Sequence, residues 1–242
     1  MRVKITLLYN GTTFMGSQVQ KSTANTVMGS LQHAFHRLGI DTVPVASGRT
    51  DRGVHATGQV VHCDLPEHWH HYERLKSVLN RHLPSSIHVR SIVPVAGDFH
   101  ARFSAKRRVY RYIISESEPN PFEADFVTFS DTPINVALLN DAMAAYVGTH
   151  DFTYFRKTGS DTHHDRRIIY KAFAYRWHGK VVLNFEGNGF LRSQIRMMVG
   201  FLLQINGGKR SKADLVEQLA CRTDFKTKPA PHNGLYLARI KY

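Results

Sequence analysis

The sequence predicts an α+β protein built from two halves of the split-βαβ type, joined near residue 100. Three observations predict it. Apolar residues alternate in short runs that read as strands; longer runs in each half carry the three-to-four-residue spacing of a helix; and a similar order of elements, without obvious sequence repetition, follows in the second half. The chain of 242 residues also has room for two domains of roughly 100 residues each. They are expected at 1–102 and 103–242.

In the first half, Val3, Ile5, Leu7 and Tyr9 alternate with polar residues and mark a half-buried strand over 2–9. A helix is expected from about Asn25, with Val27, Leu31, Ala34, Phe35 and Leu38 on one face and Gly39 as its stop. Strands follow at 43–47, 57–65 and 87–95, and a helix carrying Leu75, Leu79 and Leu83 lies between the last two. The second half reads as a strand near 108–115, a helix near 135–147, strands near 168–177 and 181–186, and a helix over 190–205. A short helix near 211–220 and a final strand, "LYLARIKY", complete it. "TGSDTHHD" at 158–165 is the expected mobile loop, and "SEPNPFEAD" at 117–125 is a further connection.

Composition narrows the function. Lys and Arg number 32 against 19 Asp and Glu, a net charge of +13, which points to a polyanionic partner. No apolar run is long enough to span a bilayer, and no basic amphipathic helix or lipidation motif suggests a membrane surface. The opening "MRVKITLLYNGTTF" alternates like a strand rather than resembling a signal peptide, so a cytoplasmic location is expected. Two cysteines, Cys63 and Cys221, make no disulfide framework and no CxxC, and both are expected to be buried thiols. There is no GxxxxGK[ST] and no GxGxxG after a strand, which argues against nucleotide-driven chemistry. The histidines of "EHWHH" (67–71) and the group His163, His164 and Asp165 lack metal-ligand spacing, so no metal is expected.

Three stretches combine residue types that could do chemistry. In "SGRTDRGVHATGQVVH" (47–62) the acid Asp51 stands among Arg49 and Arg52, between Gly48 and Gly53, which allow tight turns and close approach. Nearby guanidinium groups favour the ionised carboxylate, a form able to act as a nucleophile. At about 4 Å and an effective dielectric near 20, one such pair attracts by about 4 kcal/mol before desolvation. The alternative is that Asp51 merely caps a turn. In "KRRVYRYII" (106–114) Tyr110 and Tyr112 share one strand face after three bases, a pattern suited to base stacking beside phosphates, although alternating tyrosines by themselves favour core packing. In "NGFLRSQIRMMVG" (188–200) Phe190, Ile195, Met198 and Val199 are placed toward the core, while Arg192 and Arg196 fall one helical turn apart. Such a pair calls for an acidic partner such as Asp51 or phosphate; the alternative is a surface helix with solvated arginines.

Taken together these stretches resemble a known family. "GRTDRGVHATGQVVHCD" is similar to the GRTDxGVHAxGQVxxF signature of TruA-type tRNA pseudouridine synthases, and "YNGTTFMGSQVQ" to that family's YDGTxFxGWQxQ. "FHARFSAKRRVYRYII", "DFTYFR", "NGFLRSQIRMMVG" and "NGLYLARIKY" follow its later landmarks in order, so the resemblance spans essentially the whole chain. It implies two α+β halves sharing a central, mainly antiparallel sheet with helices packed on it and a basic active-site cleft between them. By the same resemblance Asp51 is the catalytic nucleophile, Tyr110 stacks on the target base, Arg196 orients Asp51, Arg49 contacts the RNA where the nucleotide is displaced, and Leu235 lines the uracil pocket.

The activity so implied is isomerisation of uridine to pseudouridine in the anticodon arm of tRNA, at the family-typical positions 38, 39 and 40. It is redox-neutral and needs no cofactor, and the enzyme is expected to be a homodimer. Two other readings stay open: a diverged paralogue that modifies another tRNA or rRNA uridine, and a non-catalytic RNA-binding protein. The chain departs from the motif at Ser17, where the family has Trp, and at Arg52, where it has Ala or Lys. Ser17 is expected to alter local packing rather than chemistry.

Overall fold

The computed structural model describes residues 1–159 and 164–242. The chain divides into two compact units, one made of Met1–Lys106 with Tyr236–Tyr242 and the other of Arg107–Leu235. The last seven residues thus belong with the first unit. Both units are α+β with mainly antiparallel strand pairing, as the sequence predicts.

The first unit runs β1 (Arg2–Tyr9), α1 (Val27–Arg37), β2 (Val45–Ala46), β3 (His55–Asp64), α2 (Tyr72–His82) and β4 (Ile87–Pro94). β1 lies between β4 and β3, antiparallel to both, and β2 pairs with the far edge of β3. β3 therefore separates β1 from β2, which is the split-βαβ arrangement. The N-terminal end of that same edge takes β10 (Leu235–Lys241) in parallel, with Tyr236 opposite His55 and Leu237 opposite Ala56. β1 buries alternate residues, so Val3, Ile5 and Leu7 are wholly inaccessible. α1 starts at the Thr26 cap, whose hydroxyl accepts from Gly29 N–H, and ends where Gly39 takes φ +67°. Val27, Leu31, Ala34 and Phe35 are buried, and Leu38 is only half-buried because it is already the C-cap. Each fully buried Leu or Phe contributes roughly 1.5–3 kcal/mol relative to exposure.

The second unit runs β5 (Arg107–Ser115), β6 (Thr128–Phe129), α3 (Val136–Ala144), β7 (Gly148–Asp151), a 3₁₀ turn (Thr153–Phe155), β8 (Arg166–Trp177), β9 (Lys180–Gly187), α4 (Gln194–Asn206) and α5 (Lys212–Leu219). β9 sits between β5 and β8, β7 extends β8, and β6 pairs with β5 in parallel. Here too β5–α3–β8 is split by an inserted strand. β6 and β7 are additions to the expected elements, and α4 begins at Gln194 rather than at 190. Ser193, at φ +59°, is in the left-handed region and breaks the backbone before the helix. Arg192 is consequently outside α4, and the expected face shared by Arg192 and Arg196 does not form.

Among the described residues no helix is long and apolar enough to cross a membrane. Of the loop expected at 158–165, Thr158, Gly159, His164 and Asp165 lie outside any helix or strand, whereas 160–163, including His163, are outside the described residues. Cys63 is buried and Cys221 half-buried. Burial raises the Cys63 thiol to about 12.

Candidate active site

Residues 47–54 form the connection from β2 to β3, and the first unit holds this loop through its buried polar groups. Ser47 donates its N–H to Val60 O at 2.8 Å and its hydroxyl to Gln59 Oε1 at 2.7 Å. Gln59 in turn donates Nε2 to Gly48 O at 2.9 Å. Thr50 is held at three atoms: its N–H donates to Ser17 Oγ at 2.8 Å, its carbonyl accepts from Ser17 N–H at 3.1 Å, and its hydroxyl meets Tyr9 OH at 2.9 Å. Beyond Asp51 the turn is closed by Val54 N–H donating to the Asp51 backbone carbonyl at 3.2 Å, with Gly53 at φ +74°. The left-handed backbone there suits a glycine.

Two glycines let the β1–α1 connection reach this loop. A side chain at Gly11 would put its first carbon 2.0 Å from Val54 O, and Gly16, at φ +114°, would put one 3.2 Å from Thr50 O. Gly11 N–H also donates to His55 Nδ1 at 3.0 Å, and the His55 ring stacks on Tyr236 at 4.8 Å. Burial raises the Tyr9 phenol to about 12, against the hydrogen bonds from Thr50, Gln59 and Ser17. It therefore stays protonated at neutral pH and serves as a fixed hydrogen-bonding group. The result is a rigid main chain on either side of Asp51, whose side chain is half-exposed, while Arg49 and Arg52 are exposed. Ser17, noted in the sequence only as a departure from the motif, holds Thr50 here, and Tyr9, His55 and Gln59 are supporting residues that the sequence alone does not single out. Gln59 alone carries a visible signal, a polar residue within the apolar run of β3.

In the second unit Tyr110 lies on β5 opposite Phe185 of β9. It is 9% exposed, and its ring meets Phe190 edge-on, with centroids 5.2 Å apart at 82°. Phe190 is half-buried beside Tyr110 rather than in the core where it is expected. Tyr112, two residues on, is a core residue: its hydroxyl pairs with Thr128 Oγ1 at 2.6 Å and donates to Pro231 O at 2.9 Å. Burial raises its phenol well above the ordinary value, against the Thr128 hydrogen bond and, less, the Arg196 charge. Of the bases before Tyr110, Arg107 pairs with the buried Glu186 at 3.0 Å and lies 4.5 Å over the Tyr170 ring, and Arg108 donates to Asn188 O at 2.7 Å.

Arg196, half-buried in the first turn of α4, donates Nε to Ala230 O at 2.7 Å, and Ala230 N–H returns a bond to Arg196 O at 2.8 Å. Arg192 goes elsewhere, donating to Thr158 O at 3.2 Å. The segment 230–235 is thereby tied to α4 and to β5, where Ile113 N–H donates to Gly234 O at 2.8 Å; Leu235 is 5% exposed. Tyr112, Arg196 and the residues leading to Leu235 are thus brought together within the second unit, while Asp51 and Arg49 belong to the first. Among the described residues no group of three His, Cys, Asp or Glu side chains could hold a metal ion.

Comparison with known proteins places the chain in a family. A family model described as tRNA pseudouridine synthase matches residues 5–104 and 142–242, taking in the Asp51 loop, α4 and β10. The chain is 38% identical over 249 residues to tRNA pseudouridine synthase A of Limosilactobacillus reuteri (strain DSM 20016), covering 100% of this chain and 96% of that protein. The proteins of the same name from Helicobacter hepaticus and Campylobacter jejuni (strain RM1221) are each 37% identical over 245 residues. These alignments cover 99% and 100% of this chain, and 98% and 100% of the relatives. With both stretches of the family model matched and relatives aligned end to end, this chain belongs to the tRNA pseudouridine synthase family.

Proposed function

We propose that this protein isomerises uridine to pseudouridine in the anticodon arm of tRNA, with Asp51 as its catalytic carboxylate. The observation that carries this reading is the anchoring of the main chain around Asp51, through Thr50 on one side and Val54 on the other, in a protein of +13 net charge. A reactive group must be held close to its productive geometry, because a misplacement of about 1 Å costs about 10²-fold in rate.

In the proposed reaction the N1–C1′ bond breaks, the freed base turns within its pocket, and C5 bonds to C1′. The C5 hydrogen leaves as a proton and N1 gains one, so atoms and electrons balance without an oxidant. Asp51 either attacks C1′ directly or takes the C2′ proton to give a glycal, and both routes return the carboxylate unchanged. The base must first leave its stack, at a cost of a few kcal/mol that the Tyr110 ring offsets in part by stacking on it. Phe190 meets Tyr110 edge-on and so fixes the plane of that ring. Arg49 is assigned to the space the nucleotide vacates, Arg196 to orienting the Asp51 carboxylate, and Leu235 to an apolar wall of the base pocket. We further assign the protein to the cytoplasm, acting as a homodimer.

Mapping pseudouridine by carbodiimide labelling in RNA from a strain lacking the gene tests the substrate. Loss of anticodon-arm pseudouridines, restored by the intact gene, is expected. Retention of all of them would refute the anticodon-arm assignment and direct the search to another RNA.

A further inference from the structure

We infer that Ser17 is a positioning residue for the Asp51 carboxylate, acting through Thr50. The inference rests on the reading of Asp51 as the catalytic group. Ser17 is 2% exposed, and it reaches both peptide groups of Thr50. Its N–H donates to Thr50 O at 3.1 Å, and that carbonyl belongs to the peptide joining Thr50 to Asp51. Its Oγ accepts from Thr50 N–H at 2.8 Å, which holds the preceding peptide, joining Arg49 to Thr50. Two consecutive peptide planes leading into Asp51 are therefore fixed by one residue.

The main-chain bond survives any replacement of Ser17 except proline, whereas the side-chain bond needs an acceptor oxygen at this position. An indole N–H only donates, so the Trp found here in the family motif cannot accept from Thr50 N–H. The contact is thus a property of this chain's serine. Removing the oxygen leaves a buried N–H without a partner, and the loop regains one only by moving. Gly16 makes the arrangement possible through a backbone that disfavours any side chain. At φ +114° it turns Ser17 toward the loop, and a side chain there would crowd Thr50 O at 3.2 Å. Tyr9 OH, which meets Thr50 Oγ1 at 2.9 Å, holds the same residue from the β1 side.

The test compares Ser17→Ala, Ser17→Cys and Ser17→Thr with the unmodified protein, using tritium release from tRNA labelled at uridine C5. Single-turnover rate constants at saturating enzyme, tRNA affinity and melting temperature are read for each. Cys has the shape of Ser with a somewhat larger γ atom and is only a weak acceptor, so it fills the site while weakening the bond, and the melting temperature reports whether folding is preserved. The rate constant is expected to fall about tenfold in the Ala and Cys variants, the effect of a buried donor left unpaired. Affinity should stay within about threefold, since phosphate contacts dominate binding. Thr, which retains the hydroxyl, should recover most of the rate. A merely structural serine would lower the melting temperature and leave the single-turnover constant unchanged. An unimpaired Cys variant beside an inactive Asp51→Ala overturns the inference about Ser17 alone, and this comparison decides even if the Ala variant does not fold. Turnover in Asp51→Ala would instead remove the reading on which it rests.

Discussion

Replacing Gly11 with alanine should disable the enzyme without touching a reactive group. The new methyl carbon would stand 2.0 Å from Val54 O and 2.5 Å from Val54 C, both backbone atoms, where ordinary contact begins near 3.4 Å. Relief requires the two segments to part by roughly 1 Å or more, a backbone shift of the kind that overpacking forces. Val54 N–H is bonded to the Asp51 carbonyl, so the strain passes directly into the turn that carries the carboxylate. Such overpacking costs about 2 kcal/mol, and at about 3 °C per kcal/mol for a chain of this size the melting temperature should fall by roughly 6 °C. A shift of about 1 Å at the reacting group costs about 10²-fold in rate, so kcat should fall by that order while tRNA affinity changes little. Calorimetry together with tritium release from C5-labelled tRNA measures both. A Gly11→Ala protein that turns over at the unmodified rate would show that the loop's position does not govern catalysis.

Three further outcomes are expected. Tyr9→Phe removes the phenol that meets Thr50 and Gln59. It should lower stability by about 1 kcal/mol in urea titration and kcat by a few-fold, and unchanged stability would contradict the role given to this buried network. His62 accepts Ala101 N–H at Nδ1 and also faces His100, Arg2, Asp64 and the Val45 backbone; burial first, then His100 and Arg2, hold its pKa below 6.5. The unfolded chain therefore takes up this proton at higher pH than the native one, so the associated stability is present above pH 6.5 and is lost as pH falls through the lowered native value. Urea titrations should show a larger loss between about pH 7.5 and about pH 5.5 in the unmodified protein than in His62→Gln, and equal losses would refute the assignment. Affinity for tRNA should fall steeply with added salt as released counterions are replaced, and a flat response would contradict phosphate recognition by this basic chain.

Much of the fold is legible because its signals are local. The alternation of Val3, Ile5 and Leu7 and the stop at Gly39 need no distant partner to be read. β6 and β7 escape because two and four residues hold too little pattern, and they are defined instead by pairing with β5 and β8. The start of α4 differs from expectation because a left-handed Ser193 is invisible to periodicity, and with it goes the idea of paired arginines on one helical face. In the candidate site, the residues around Asp51 stand out through their sequence motif. Their support does not: Ser17 stands out only as a departure from the motif, and its bond to Thr50, like those of Tyr9 to Thr50 and Gln59, spans a long stretch of chain. Tyr9 in particular reads as one more apolar position of β1, and only its hydroxyl contacts show what else it does.

The central claim is that Asp51 carries out the reaction, while phosphate contacts from this basic chain supply most of the binding. Tritium release from C5-labelled tRNA by Asp51→Ala, with affinity measured on the same preparation, addresses it directly. The account predicts no detectable release and a Kd within a few-fold of the unmodified protein, because phosphate contacts supply most of the binding. Release at the unmodified rate would contradict it.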